Sequence, residues 1–324
     1  MEIITGTADF YINDETAVAI GKFDGVHIGH RALLDEILKQ KENGKKACVF
    51  TFDPSPAVFF GDGKEKQLTT REEKREIFER LGIDILVEYP LNRKVADMSP
   101  RDFVVNVLCN RINAVYVAAG SDLSFGRRGE GNAALLRILA PECGMTVKII
   151  DKLLYEGREI SSTYVRETLE KGDMRLTETL LGEAYFICGK VTHGRQLGRT
   201  LGMPTLNLIP DENKMLPPRG VYYSGVMIRN RYYSSTTNIG YKPTIEQDKP
   251  VMCVETYVYD FDEDIYGEDI SVYLYEFRRP EQKFAGIEAL KEQYRYTCLP
   301  PSAYCKKCNR QSHHDSRAVH SWRP

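Results

Sequence analysis

Two histidines three residues apart stand near the start of the chain, in the segment Gly21-Lys-Phe-Asp-Gly-Val-His-Ile-Gly-His30. A helix that begins here presents free N–H groups and a partial positive charge, which suit a phosphate group. His27 and His30 can then donate hydrogen bonds to charge that develops on a polyphosphate. The alternative is a helix start with two surface histidines and no ligand. Because glycines let the backbone approach a nucleotide closely, we predict further nucleotide-binding residues in this segment: Gly21, Phe23, Asp24, Gly25 and Gly29.

A second candidate phosphate-binding segment is Ile160-Ser-Ser-Thr-Tyr-Val-Arg166. The hydroxyl groups of Ser161, Ser162 and Thr163 are hydrogen-bond donors for phosphate oxygens. Arg166 has the planar, forked donor set that binds a phosphate through two hydrogen bonds. The alternative is a serine-rich cap of a helix that continues through Val165 to Leu169.

The second half of the chain contains candidate metal and acid–base residues. Thr205 and Asn207 lie two residues apart, so in an extended segment both side chains point to one side. Such oxygen ligands suit Mg²⁺ held jointly with ATP phosphates, although a Pro-Thr turn with an Asn cap is the alternative. Glu255 interrupts the apolar pattern of Val251 to Tyr259, where an acid must be explained, and the alternative to a functional role is an outward-facing strand carboxylate. A glycine-rich basic loop suited to covering a nucleotide contains Gly194, Arg195 and Gly198.

Strand and helix signals alternate in the first half, which predicts a parallel sheet with helices on both faces. Ligands of such sheets bind at the carboxyl ends of the strands, where the histidine segment lies. The predicted strands are Thr16–Ile20, Lys46–Phe52, Ile83–Glu88, Val115–Ala119 and Thr146–Ile150. The predicted helices are 29–40, a helix from the capping box at Thr70 to Gly82, 99–111 and a stretch over 163–181. We interpret the charged helix after Thr70 as a solvated face.

The second half is rich in β-branched residues and tyrosine, which predicts an antiparallel barrel. Its strands are predicted at 184–191, 220–228, 232–239, 251–259 and 270–277, followed by a helix from about Ala285. We therefore divide the chain into an α/β domain over residues 1–182, a β-barrel domain over 183–293 and an atypical tail over 294–324.

The composition limits the possible classes of protein. With 324 residues, 44 Lys and Arg and 46 Asp and Glu, the chain has a net charge of −2 and no basic excess for nucleic acid. The 42% of hydrophobic residues excludes a disordered chain. No apolar stretch approaches the roughly 18–20 residues of a membrane span. The N-terminus has no signal sequence, so we expect a cytoplasmic protein whose eight cysteines are reduced.

The histidine segment resembles the H-x-G-H signature of nucleotidyltransferases, and its longer form G-x-F-D-G-V-H-x-G-H resembles bifunctional riboflavin kinase/FAD synthetases of prokaryotes. Other segments are similar to motifs of that family in the same order, and the resemblance covers about residues 1–293. These segments are Thr51-Phe-Asp-Pro54, Gly120-Ser-Asp-Leu-Ser-Phe-Gly126, Ile160 to Arg166, Gly202-Met-Pro-Thr-Leu-Asn207, Pro218-Arg-Gly-Val-Tyr222, Asn238 to Thr244 and Val254-Glu-Thr-Tyr257.

The resemblance implies two successive reactions. The barrel phosphorylates riboflavin with MgATP to FMN, and the α/β domain joins FMN to the AMP part of a second ATP, giving FAD and pyrophosphate. It implies that Glu255 is the general base, that Thr205 and Asn207 bind Mg²⁺, and that Asp122, Phe125 and Asn238 contact the flavin. The expected partners are ATP, riboflavin and FMN, without nucleic acid or membrane, and a homo-oligomer is left open. The alternatives are a riboflavin kinase alone or a flavin-binding regulator without turnover.

Three departures from the family pattern bear on these expectations. Ser55 replaces a usual histidine, which predicts slower adenylyl transfer, and Leu123 replaces an aromatic residue of the flavin loop. After Gln293 the family's C-terminal helix is interrupted by Pro300 and Pro301. The tail then offers a zinc-like set in Cys305, Cys308, His313, His314 and His320, with a disordered thiol-bearing segment as the alternative that we favour.

Overall fold

The computed structural model describes residues 1–61, 66–193, 205–242 and 251–282. The chain divides into two compact units, with the division between Val165 and Arg166. The helix predicted from Ala285 and the tail from Tyr294, with its candidate zinc ligands, lie outside the described residues. The boundary predicted at Gly182 stays a prediction.

The first unit is built on a six-stranded sheet in which all neighbouring strands are parallel. Its strand order is β1-β4-β3-β2-β5-β8. The described strands of this unit are β1 Glu2–Thr5, β2 Thr16–Ile20, β3 Lys46–Asp53, β4 Ile85–Pro90, β5 Ala114–Gly120, β6 Ser124–Phe125, β7 Gly131–Asn132, β8 Thr146–Ile150, β9 Leu154–Tyr155 and β10 Arg158–Glu159. The predicted parallel sheet is therefore confirmed.

Helices connect the strands of this unit. They are α1 Ile28–Lys39, α2 Pro56–Phe60, α3 Arg71–Arg80, α4 Arg93–Ala96, α5 Pro100–Asp102 and α6 Ala133–Leu139. Helix α7 Ser162–Glu170 crosses the division between the units, and α8 Met174–Leu181 lies in the second unit. The capping box at Thr70 is present: the Glu73 carboxylate accepts the Thr70 N–H, and the Thr70 hydroxyl accepts the Glu73 N–H. The helix predicted from Ser99 begins as α5 and continues as a π-helical segment, Phe103–Cys109. The stretch predicted over 163–181 is two helices, because Gly172 has a φ of +72° between them.

The central strands of the sheet are buried on both faces. Every residue of β2 is buried, and the five residues from Ala47 to Thr51 on β3 are buried as well. Strands covered by helices on both sides are near-continuous apolar runs, which explains why the sequence pattern revealed them. The core formed around them includes Val18, Phe50 and Val87.

The second unit contains a closed barrel with antiparallel strand pairs, as predicted. The strands are β11 Tyr185–Thr192, β12 Thr205–Leu208, β13 Gly220–Ile228, β14 Arg231–Lys242, β15 Val251–Val258 and β16 Asp269–Pro280. Their order around the barrel is β11-β12-β15-β14-β13-β16. The β13–β14 turn has positive φ at both Arg229 and Asn230, which matches the right-handed twist of a tight hairpin.

A ladder of hydroxyl groups crosses the buried side of the barrel wall. Ser224 contacts Ser235 and Thr237 at 2.8 Å each, and Thr237 contacts Thr256 at 2.9 Å. Because strand side chains alternate between faces, the neighbours Asn238 and Glu255 belong to the opposite, outer face of the barrel.

Candidate active sites

The loop after β2 has an unusual backbone that is held by its surroundings. Phe23, Gly25 and Val26 all have positive φ values, of 51°, 83° and 44°. This conformation is costly for a β-branched residue such as Val26. Phe23 and Val26 are fully buried, so core packing maintains the strained conformation. The loop is thereby fixed at the carboxyl end of a central strand.

Hydrogen bonds from the segment before α3 hold the same loop. The Asp24 carboxylate accepts the backbone N–H groups of Leu68 and Thr69, at 2.9 and 3.3 Å. The Thr69 hydroxyl accepts the N–H of Gly25 at 3.0 Å. Asp24 and Gly25 therefore have structural contacts in addition to their predicted nucleotide-binding role.

His27 and His30 lie together at the N-terminus of α1. His27 caps the helix, and its Nδ1 accepts the backbone N–H of His30 at 3.3 Å. The two imidazoles stack with 3.8 Å between ring centroids and 21° between planes. A Cβ on Gly29 would lie 3.1 Å from His27 Nδ1, so glycine leaves room for this ring over the first turn.

Both imidazoles are neutral at physiological pH. Burial lowers the pKa of His27 to about 4, against the opposing charges of Asp24 and Asp122. Burial also lowers the pKa of His30 well below its usual range, and His27 and Lys74 lower it further. Because His27 Nδ1 accepts a hydrogen bond, the proton of the neutral ring is on Nε2. The Nδ1 atom of His30 is buried and makes no hydrogen bond to any residue that the structure describes.

The predicted serine segment lies beside this helix start. Ser161 accepts the backbone N–H of Tyr164 at 3.2 Å and so caps α7. Ser162 donates its hydroxyl hydrogen to the backbone carbonyl of Asp24 at 2.8 Å. A Cβ on Gly29 would lie 3.9 Å from the carbonyl oxygen of Ile160. The N-termini of two helices, α1 and α7, therefore adjoin at the end of the sheet.

Two helix N-termini in one place form an anion-binding environment, because each presents unpaired N–H groups and a partial positive charge. The remaining predicted residues of this segment lie on α7: Thr163 is exposed and Arg166 is partly buried on its second turn. The capping role considered for the serines is present at Ser161. It does not exclude phosphate contacts, since Thr163 is exposed.

The candidate flavin loop follows β5, which pairs with β2 in the sheet. Asp122 is 66% exposed and lies 3.5 Å from the Lys152 ammonium group. Phe125 is buried against Phe103, with ring centroids 5.5 Å apart. Leu123 is partly buried on the core. Ser55 accepts the N–H of Val58 at the start of α2.

Sequence analysis missed a charged network between α3 and β4. Glu88 is buried and accepts hydrogen bonds from Arg71 at 2.7 Å and Arg75 at 2.6 Å. Although burial opposes ionisation, hydrogen bonds from Arg75 and Arg71 hold the pKa of Glu88 at about 2. Glu73 on the same helix is fully buried. The interpretation of this helix as a solvated face is therefore wrong. The sequence signal for this network was Glu88 itself, an acidic residue at the end of the apolar strand predicted over 83–88.

The predicted kinase residues form a row on the outer face of the barrel. Glu255 on β15 lies opposite Asn207 on β12 and opposite Asn238 on β14. Thr205 donates its hydroxyl hydrogen to Glu255 Oε1 at 2.8 Å. Asn238 Nδ2 donates to Glu281 Oε1 at 3.3 Å. The structure thus brings Thr205, Asn207 and Glu255 together, whereas Gly194, Arg195 and Gly198 lie outside the described residues.

The donor atoms of this row fit a magnesium ion. Thr205 Oγ1, Asn207 Oδ1 and the Glu255 carboxylate are hard oxygen ligands on adjacent strands. The described residues contain no group of three His, Cys, Asp or Glu side chains that could hold a metal alone. Mg²⁺ is commonly bound by one or two protein ligands together with substrate phosphates, and this donor set would suit that arrangement.

The sequence of each unit matches a known family. Residues 10–164 match the FAD synthetase family and residues 181–298 match the riboflavin kinase family. The chain is 35% identical over 284 residues to the bifunctional riboflavin kinase/FMN adenylyltransferase of Bacillus subtilis (strain 168), covering 86% of this chain and 89% of that protein. The chain belongs to this bifunctional family. The protein of the same name from Listeria monocytogenes (strain EGD-e) is 35% identical over 290 residues, covering 89% and 91% of the two chains.

Family membership confirms the resemblance found in the sequence for both units. The fold is also similar to a solved structure described as a macrolide-efflux protein from Streptococcus pneumoniae, with a TM-score of 0.78 and 27% identity over 91% of this chain and 96% of that one. That description is of the other protein. In the part of the chain that the structure describes, no helix is both long and apolar enough to cross a membrane.

Proposed function

We propose that this chain phosphorylates riboflavin with MgATP to give FMN, and then adenylylates FMN with a second ATP to give FAD and pyrophosphate. The observation that carries the proposal is the pair of sites in one chain. Two adjoining helix N-termini with His27 and His30 belong to the first unit, and the Thr205–Glu255 hydrogen bond marks the site on the barrel.

In adenylyl transfer, a phosphate oxygen of FMN attacks the α-phosphorus of ATP. The bond from that phosphorus to the bridging oxygen of the β-phosphate breaks, and its electron pair leaves with pyrophosphate. Negative charge grows on the α-phosphate and the leaving group, where His27 Nε2–H, the N–H groups of α1 and α7 and Arg166 stabilise it. FMN supplies the nucleophile, so the protein contributes positioning and electrostatics.

In riboflavin phosphorylation, Glu255 accepts the proton of the 5′-hydroxyl as its oxygen attacks the γ-phosphorus, and ADP leaves. Thr205 holds one carboxylate oxygen at 2.8 Å and thereby orients Glu255. Thr205 and Asn207 would hold Mg²⁺, which neutralises charge on the ATP phosphates. The proposed flavin contacts are Asp122 and Phe125 for FMN in the first unit and Asn238 for riboflavin on the barrel.

The test is incubation of the full chain with riboflavin and MgATP, followed by chromatographic separation of riboflavin, FMN and FAD. We expect both products, with FMN appearing before FAD. FMN alone, with added FMN also left unconverted, would support a kinase in which Ser55 and Leu123 have weakened the adenylyltransferase. Neither product would refute the proposal and favour a flavin-binding regulator. Magnesium dependence, a cytoplasmic location and the oligomeric state stay predictions from the sequence.

A further inference from the structure

Helix α3 contributes a cation that neither sequence motif contains. It has basic residues at Arg71, Lys74 and Arg75 in its first two turns. Arg71 and Arg75 both bind the buried Glu88 carboxylate, so their charges are neutralised locally. Lys74, in contrast, forms no ion pair within 4 Å with any residue that the structure describes. It is therefore the basic residue of these turns whose charge is available to a ligand.

The packing of α3 directs Lys74 toward the histidines. Phe78 lies four residues after Lys74, on the same face of the helix. The Phe78 ring meets Phe23 edge-on at 5.5 Å, and the Phe23 ring lies 5.1 Å from the ring of His30. The helix start is fixed against the same loop, because Asp24 accepts the N–H groups just before it. Lys74 thus belongs to the face of α3 that packs on the histidine loop.

The electrostatic neighbours of Lys74 agree with this placement. The positive charge of Lys74 lowers the pKa of His30. Burial lowers the pKa of Lys74 itself, against the opposing charges of Asp24, Glu88 and Asp53. A lysine ammonium that has been partly removed from water without an ion-pair partner is costly unless a ligand supplies the counter-charge.

His27 and His30 are neutral and contribute no formal charge, so Arg166 is the one cation among the residues predicted for this site. We propose that Lys74 is a catalytic residue of adenylyl transfer whose ammonium group binds the β- and γ-phosphates of ATP and stabilises them as they leave. This inference rests on the proposed function of the first unit. FMN oxygen bonds to the α-phosphorus, the electron pair of the broken bond leaves on pyrophosphate, and Lys74 donates hydrogen bonds to that group without losing a proton.

The experiment uses the full chain with Lys74→Met and Lys74→Arg. Lys46→Met is the matched control, because Lys46 is exposed at the opposite, amino end of β3. In FAD synthesis from FMN and MgATP, we expect Lys74→Met to lower kcat about 10²–10³-fold, as for loss of one preorganised donor. Lys74→Arg should recover part of the rate because it keeps the charge. Lys46→Met should stay within twofold of the unaltered chain.

The reverse reaction separates phosphate binding from a structural role. FAD and MgPPi give FMN and ATP, and the rise in flavin fluorescence follows the reaction. For Lys74→Met we expect the KM for pyrophosphate to rise at least tenfold, with the KM for FAD unchanged. A parallel rise in both KM values with a lower melting temperature would overturn the inference, as would wild-type rates in both directions. If the unaltered chain made no FAD, the proposed function itself would fail, which is a different outcome from an active Lys74→Met variant.

Discussion

Mild acid should destabilise the first unit through His27. The pKa of His27 is about 4 in the folded chain, whereas the ordinary pKa of histidine is 6.5. Between these values the unfolded chain binds the proton more strongly, so lowering the pH favours unfolding. One pKa unit corresponds to about 1.4 kcal/mol, which gives a loss of about 2 kcal/mol at pH 5 and at most about 3 kcal/mol below pH 4.

The range from pH 7 to pH 5 separates the effect of His27 on stability from that of the buried Glu88 carboxylate. Glu88 has a folded pKa of about 2 and an ordinary value of 4.5, so its stabilising contribution is present above pH 4.5 and is lost only below it. His30 has a pKa shifted in the same direction as that of His27 and contributes in the same window. Comparison with a His27→Gln variant separates the two histidines.

The assay is pulsed hydrogen exchange along a urea gradient, read by mass spectrometry on peptides from residues 16–39. Such peptides report the unfolding of the first unit, independently of the barrel. We expect the unaltered chain to lose about 2 kcal/mol more than His27→Gln between pH 7 and pH 5. The control is His193→Gln, because His193 stacks on Tyr266 in the second unit. Equal losses in the unaltered chain and His27→Gln would refute the assignment of a neutral, buried His27.

Three further outcomes are expected. Glu255→Gln should lower FMN formation about 10²–10⁴-fold and leave FAD formation from added FMN intact. Chromatography of the products measures both activities. Loss of both activities would contradict the independence of the two sites. His30→Ala should lower FAD formation about 10²–10³-fold with riboflavin phosphorylation unchanged, and near-normal FAD turnover would disprove its catalytic assignment. Glu88→Gln leaves two arginines without their buried carboxylate. In the same exchange assay it should reduce the free energy of unfolding of the first unit by about 3 kcal/mol. A change below about 0.5 kcal/mol would show that the network is not stabilising.

The sequence predicted the sheet well because its strands are buried apolar runs. Thr16–Ile20 and Thr146–Ile150 have the predicted bounds, and Lys46–Asp53 differs by one residue. The edge strand Glu2–Thr5 was missed, because an edge strand of four mostly exposed residues has little periodic signal. The π-helical turn at Phe103–Cys109 was also missed, since its apolar spacing reads as an ordinary helix.

The candidate sites were predictable only where a local motif contained the functional residues. The histidine pair, the serine segment and the Thr205–Asn207 pair are each contained in a few consecutive residues. Lys74 and Glu88 are 14 positions apart in sequence from one another, and both are far from His27. Their relation to the site arises from the packing of α3 on the sheet, which no spacing rule expresses. Charged residues at helical intervals also look the same whether they face water or a buried carboxylate.

The histidine loop shows how the stability of the first unit and its chemistry depend on each other. The positive φ of Val26 costs free energy in isolation, and residues of this kind persist only where surrounding packing determines them. Here the packing includes the fully buried Phe23, which contacts both His30 and the helix that bears Lys74. A change in the core beneath Phe23 would therefore displace the imidazoles and Lys74 together. Ser162 at the start of α7 donates a hydrogen bond to the Asp24 carbonyl in this loop. The relative position of the two helix N-termini that we propose to bind phosphate therefore depends on the same loop.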